Sequence, residues 1–220
     1  MRVVTTAAVM ALLALPLLMP VPGQAAPAEG KKAKTIDELA KMYDSTGCKE
    51  CHEKIYKDWE KSLHAKSIYG TGRTAATIKT TITVGLMGWK HSGVKKPEDV
   101  ENRHLAICTK CHLPQLADAT DHVAKEIVKN VNIFMDPKST DDAKNKAEQQ
   151  LTKVSINCLV CHQRNAITHK WVDGFPQKNE VFGSKEGSQP DPAHPVMKKS
   201  PIMSESILCG QCHGLGPNFE

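Results

Sequence analysis

Apolar and polar positions follow a helical period over several stretches of this 220-residue chain and lose it elsewhere. Residues 53–68 and 115–131 have helical composition. In the second stretch Leu116, Val123 and Ile127 form an apolar stripe, and His122 falls on the opposite side with Gln115, Asp118, Glu126 and Lys129. Residues 141–156 are rich in Ala, Lys, Glu and Gln, strong helix formers. Thr35 followed by Glu38 reads as a capping box, and Pro97 fits a first helical position after Lys96. Residues 172–201 hold five prolines and three glycines, which predicts irregular chain. Near the start, a basic Arg2 precedes an apolar run over 7–21 and the small residues Ala25, Ala26 and Ala28, after which the chain turns polar at Glu29. That order predicts a secretory signal peptide over 1–28; Pro16, Pro20 and Pro22 interrupt a run already short for a membrane span. The expected organisation is a leader over 1–28 and one domain over 29–220, periplasmic or extracellular, with no membrane span after cleavage.

Composition changes this picture in one respect. Aromatic residues are 5% of the chain, and runs of β-branched residues are few. The polypeptide therefore offers little for a conventional core, and a non-protein group is expected to supply it. The cysteines say which group. All eight fall into four copies of Cys-x-x-Cys-His: Cys48, Cys51 and His52; Cys108, Cys111 and His112; Cys158, Cys161 and His162; Cys209, Cys212 and His213. This is the attachment signature of c-type haem, in which two thiols bond to the porphyrin edge and the histidine supplies one axial nitrogen to the iron. Disulfides and zinc are the competing uses of paired cysteines. Disulfides do not call for a histidine after every second cysteine. Zinc ribbons join their cysteine pairs across about 15 to 20 residues, whereas the gaps here are 56, 46 and 47. Four haem c groups with their iron are expected, and the fold class that follows is mainly α with long irregular connections, organised around four packed haems. Successive motif histidines are 60, 50 and 51 residues apart with no strict repeat between them, which argues against a solenoid.

The formal net charge is +5. Removing Arg2 with the leader leaves 28 basic and 24 acidic residues, and two ionised propionates on each of four haems bring the balance to about −4. No basic patch interleaved with aromatics points to nucleic acid.

Each motif histidine fills one axial position. The other side must come from His64, His91, His104, His122, His169 and His194, or less readily from Met42, Met87, Met135, Met197 or Met203, since methionine more often fills packing gaps. His52 and His64 are 12 residues apart, about 18 Å on one straight helix, while two nitrogens on one iron are about 4 Å apart, so these two serve different haems. The same argument separates His104 from His112 if a helix from Pro97 runs through the second motif. A haem is thus expected to be capped by a histidine from another segment. Periodicity makes His122 a surface residue and leaves His64 undecided.

The run from Cys48 to His52, followed by Trp59-Glu-Lys-Ser-Leu-His64-Ala65, resembles the opening of multihaem cytochromes related to the tetrahaem cytochrome c-554 family. There a tryptophan precedes an x-His-Ala whose histidine is a distal ligand. His104 resembles a ligand preceding a haem motif, His194 a recurrent distal segment, and His169 a ligand that follows a motif. The resemblance covers about half the chain and implies a mostly α, haem-stacked fold with His64, His104, His169 and His194 as distal ligands. The motif spacings depart from the family's, and only seven residues follow His213, so the fourth haem is expected to be the exposed one. Six-coordinate haems have no open position for substrate, which favours an electron carrier between redox partner proteins, with other multihaem cytochromes or copies of itself as candidate partners, over an enzyme. The alternatives are an oxidoreductase acting on a small nitrogen compound at a five-coordinate haem, though the chain lacks the Cys-x-x-Cys-Lys motif of such nitrite reductases, and a subunit of a haem-conducting filament.

Overall fold

The computed structural model describes residues 31–70, 72–162, 180–184, 194 and 196–213. These residues are mainly helical. Eight α-helices run in order: α1 (Ile36–Met42), α2 (Glu53–Lys61), α3 (Arg73–Thr80), α4 (Asn102–His112), α5 (Asp121–Met135), α6 (Asp141–Thr152), α7 (Cys158–His162) and α8 (Ile207–His213). None is long and apolar enough to cross a membrane.

Local chemistry sets the helix ends. Thr35 accepts at Oγ1 from the Glu38 amide at 3.1 Å, the first half of a capping box; the Glu38 carboxylate takes the Lys34 amide instead, at 2.6 Å. The run expected over 53–68 stops at Lys61, because Ser62 is extended and its amide turns back to the Trp59 carbonyl at 2.8 Å; a short 3₁₀ turn, His64–Lys66, follows. Pro97 does lead a helical turn, but a single 3₁₀ one, Pro97–Asp99; Val100 and Glu101 are extended before α4 begins. After α3, the β-branched run Thr81, Ile82, Thr83 and Val84 ahead of Gly85 widens the helix into a π turn, Thr81–Leu86.

The stretch expected as one helix over 115–131 is two elements. Pro114–Asp118 forms a 3₁₀ turn, Ala119 and Thr120 are extended, and α5 starts at Asp121. The break overturns part of the polar face assigned from periodicity: Gln115 and Asp118 are buried, at 1% and 4% exposure. The extended residues pair with the N-terminal segment, the Ala33 amide donating to Asp118 at 2.9 Å and the Thr120 amide to Ala33 at 2.8 Å. His122 stays on the outside of α5, 3.9 Å from Glu126.

A protein core exists after all. Leu39 and Tyr43 from around α1, Ile78 and Ile82 from α3 and its π turn, Val123, Ile127 and Val131 from α5, and Leu151 from α6 belong to one buried cluster. Each such aliphatic side chain contributes about 1.5–3 kcal/mol, so the expectation that macrocycles alone must form the core is corrected. One pattern explains it: α5 repeats apolar residues at helical spacing, and α6 packs its Ala147 and Leu151 side against it. The 172–201 stretch is not wholly irregular either. Within its described part, β1 (Glu180–Gly183) pairs in parallel with β2 (Val196–Lys199), with Glu180 opposite Val196 and Gly183 opposite Lys199.

Candidate haem centres

Each Cys-x-x-Cys-His run sits on a turn of helix, which places its two thiols on one side with the histidine after them. The first is the tightest. Cys48 lies in the 3₁₀ turn Thr46–Glu50, and the His52 amide closes onto the Cys48 carbonyl at 2.9 Å, so that His52 becomes the cap of α2. The turn is held at its start by Asp44, whose carboxylate accepts from the Thr46 amide at 3.0 Å and hydroxyl at 2.7 Å; these bonds hold its pKa below the ordinary value. The second motif ends α4, the third is α7 and the fourth ends α8.

None of the eight cysteines is paired in a disulfide, and among the described residues no three His, Cys, Asp or Glu side chains gather as a metal cage. The thiols are instead grouped motif against motif. The Cys48 thiol lies near that of Cys158, and the Cys111 thiol near that of Cys212. Cys161 neighbours Cys209 as well as Cys158, and its thiol is pushed up to about 11, first by burial and then by those neighbours. Burial likewise raises Cys212, with Cys111 adding to it. In space, then, the first motif adjoins the third, the third the fourth, and the fourth the second.

The histidines add a second kind of pairing. The His52 and His194 rings face each other with centroids 6.0 Å apart and planes inclined at 58°; His64 and His213 do the same at 5.9 Å and 59°. Two axial imidazoles of one iron need about this separation. Each metal–nitrogen bond is about 2 Å and each nitrogen is about 1 Å from its ring centre, giving about 6 Å in all. Burial, and after it the His213 charge, lowers the His64 pKa, which keeps the ring neutral with a lone pair to donate.

The two other motif histidines are oriented by backbone. His112 Nδ1 is 3.1 Å from the Ser67 carbonyl and His162 Nδ1 is 2.8 Å from the Phe182 carbonyl. A carbonyl only accepts, so Nδ1 carries the proton in both rings and Nε2 is the nitrogen left to bind a metal. His104 shows the reverse. The Glu101 amide donates to its Nδ1 at 2.9 Å, and its Nε2 faces the Ser92 carbonyl at 3.2 Å, so Nε2 holds the proton and both nitrogens have partners. His104 and His112 share α4 eight residues apart, about 12 Å, and are held separate as expected. His91 is exposed on a turn. His169 lies outside the described residues.

Large apolar side chains are left in water beside the motifs. Ile55 next to the first motif is 65% exposed, Leu63 beside His64 is 61%, and Ile107 beside Cys108 is 75%. Side chains of this size in water fit an apolar group packed against them. With paired imidazoles and grouped thiols, they form walls and ligands of the kind a covalently held haem needs.

The Ser67 and Phe182 carbonyls at the His112 and His162 rings have no counterpart in the sequence motifs. Backbone acceptors leave no mark in a sequence.

Residues 47–133 match the family described as cytochrome c554 and c-prime, which supports a relation of the chain to that family and, with it, a haem-based electron-transfer role. No curated protein and no solved structure matches the chain.

Proposed function

We propose that the chain is a tetrahaem electron carrier outside the cytoplasm, exchanging single electrons with redox partner proteins. One observation carries this reading most: two imidazole pairs, His52 with His194 and His64 with His213, drawn from distant segments and spaced as axial ligands of one iron each. Bound haem supplies one-electron chemistry at low potential when both axial ligands are histidine. The chain's own part is to hold and orient it. Cys48, Cys51, Cys108, Cys111, Cys158, Cys161, Cys209 and Cys212 anchor the four groups. His52, His112, His162 and His213 supply one axial nitrogen each. His194 and His64 close the first and fourth sites, and the candidates for the remaining two are His169 and His104, whose Nε2 must first leave the Ser92 carbonyl. The thiol contacts support a spatial order of first, third, fourth and second motif, a single file suited to passing electrons along.

A second reading, catalysis on a small nitrogen compound at an open axial position, draws on His104. Its two ring nitrogens are already engaged by Glu101 and Ser92, and no imidazole faces His112 among the described residues.

One set of measurements tests both. Intact mass of the haem-loaded protein is expected to show four haems. Low-temperature EPR of the oxidised protein is expected to show low-spin signals, with one high-spin signal appearing in His194→Ala and one in His64→Ala, and none in His122→Ala. An apoprotein mass ends the haem reading. A high-spin signal in the unaltered protein together with turnover of nitrite or hydroxylamine favours catalysis.

A further inference from the structure

Ile156 sits two residues before Cys158, and two groups from the first-motif segment hold its backbone from both sides. Trp59 Nε1 donates to the Ile156 carbonyl at 2.8 Å, and the Ile156 amide donates to the His64 carbonyl at 3.1 Å. Trp59 and His64 are only five residues apart, but the chain leaves α2 at Ser62 and turns, so both reach the same residue. The indole is itself steadied by an edge contact on Tyr56, with ring centroids 5.2 Å apart. Beyond Ile156, the Asn157 side chain accepts from the Leu159 and Val160 amides and fixes the start of α7. The segment carrying His64 and the helix carrying the third motif are therefore clamped together through one residue.

The clamp matters because of how His64 is held. The rings of His112 and His162 are each oriented by a hydrogen bond at Nδ1. Within the described residues the hold on His64 is at its backbone, through the Ile156 amide, and the ring is carried from that fixed point. The ring plane is inclined at 59° to the ring of His213. The angle between two axial imidazole planes sets the splitting of the iron d orbitals, and with it the g values and the potential; groups beyond the ligands tune a metal by fixing such orientations.

We propose that Trp59 is a positioning residue: through Ile156 it fixes the plane of His64 against His213 and so tunes the potential of the iron those two rings share. The inference rests on the ligand reading above. Its test is Trp59→Phe in the haem-loaded protein, which keeps an aromatic ring against Tyr56 and deletes the N–H. One low-spin EPR signal is expected to shift and broaden, and one of the four potentials to move, with haem content and the other signals unchanged. Replacing Trp59 by its benzothiophene analogue, which has the same bicycle without the N–H, is expected to do the same, and it decides the matter if Trp59→Phe loads haem poorly. Unchanged spectra and potentials in the analogue, with His64→Ala still giving one high-spin haem, overturn the role of Trp59 and leave the ligation standing. If His64→Ala leaves every haem low-spin, the shared iron falls and this inference with it.

Discussion

Asn157 precedes the third motif by one residue and joins it to the first helical segment, so its removal probes the site and the fold at once. Its Oδ1 accepts from the Leu159 and Val160 amides at 3.1 and 3.3 Å, the pattern of a helix N-cap, while its Nδ2 donates to the Tyr43 carbonyl at 2.6 Å. Tyr43 is 1% exposed, so the second bond is made away from bulk water. An N-cap contributes about 1 kcal/mol, and a hydrogen bond of the second kind about 0.5–1.5 kcal/mol net. Asn157→Ala loses both and is expected to cost about 2 kcal/mol. Asn157→Ser keeps a capping oxygen but is too short to reach Tyr43, and is expected to cost about 1 kcal/mol. The assay is urea unfolding of the haem-loaded protein followed by far-UV circular dichroism, comparing midpoints at unchanged slope. Two variants within about 0.3 kcal/mol of the unaltered protein would refute the reasoning, because the error on a mutational estimate is itself a few tenths. Equal losses in Ala and Ser would remove the cap from the account and leave only the Tyr43 bond.

Two further outcomes are expected. Tyr43 donates its hydroxyl proton to the Asp118 carboxyl in a buried site, so Tyr43→Phe loses a buried side-chain hydrogen bond and is expected to lower stability by about 1–3 kcal/mol, read from the same unfolding curves; an unchanged midpoint contradicts it. The Asp44 carboxylate, held below its ordinary pKa by the Thr46 bonds, steadies the first motif above the unfolded-state value of about 3.9, and that contribution disappears as pH falls through the lower folded-state value. The stability gap between the unaltered protein and Asp44→Asn is therefore expected to be constant near neutrality and to close only in acid; a gap that widens in acid has the wrong sign.

The sequence by itself carries the whole attachment signature, because Cys-x-x-Cys-His is a local device: two thiols and an imidazole need only one turn of chain to be presented together, whatever lies around them. It also pointed to the helical class, through composition and period. The separation of His52 from His64 follows from rise per residue only on one straight helix, but α2 ends at Lys61, and what sets the two rings apart is that they face different partners, His194 and His213. The sequence misplaced what depends on neighbours. Gln115 and Asp118 read as a polar face, but the chain breaks at Ala119 to pair with Ala33, and the Gln115 amide turns inward to the Val154 and Ser155 carbonyls. The core was underestimated for the same reason: composition counts apolar residues, while α1, α3, α5 and α6 concentrate them on facing sides. Which histidine faces which was decided only by tertiary structure. His64 and His213 are 149 positions apart, and no period or spacing encodes a contact at that separation. It forms in the 3₁₀ turn that follows α2, where the His64 carbonyl accepts from the amide of Ile156.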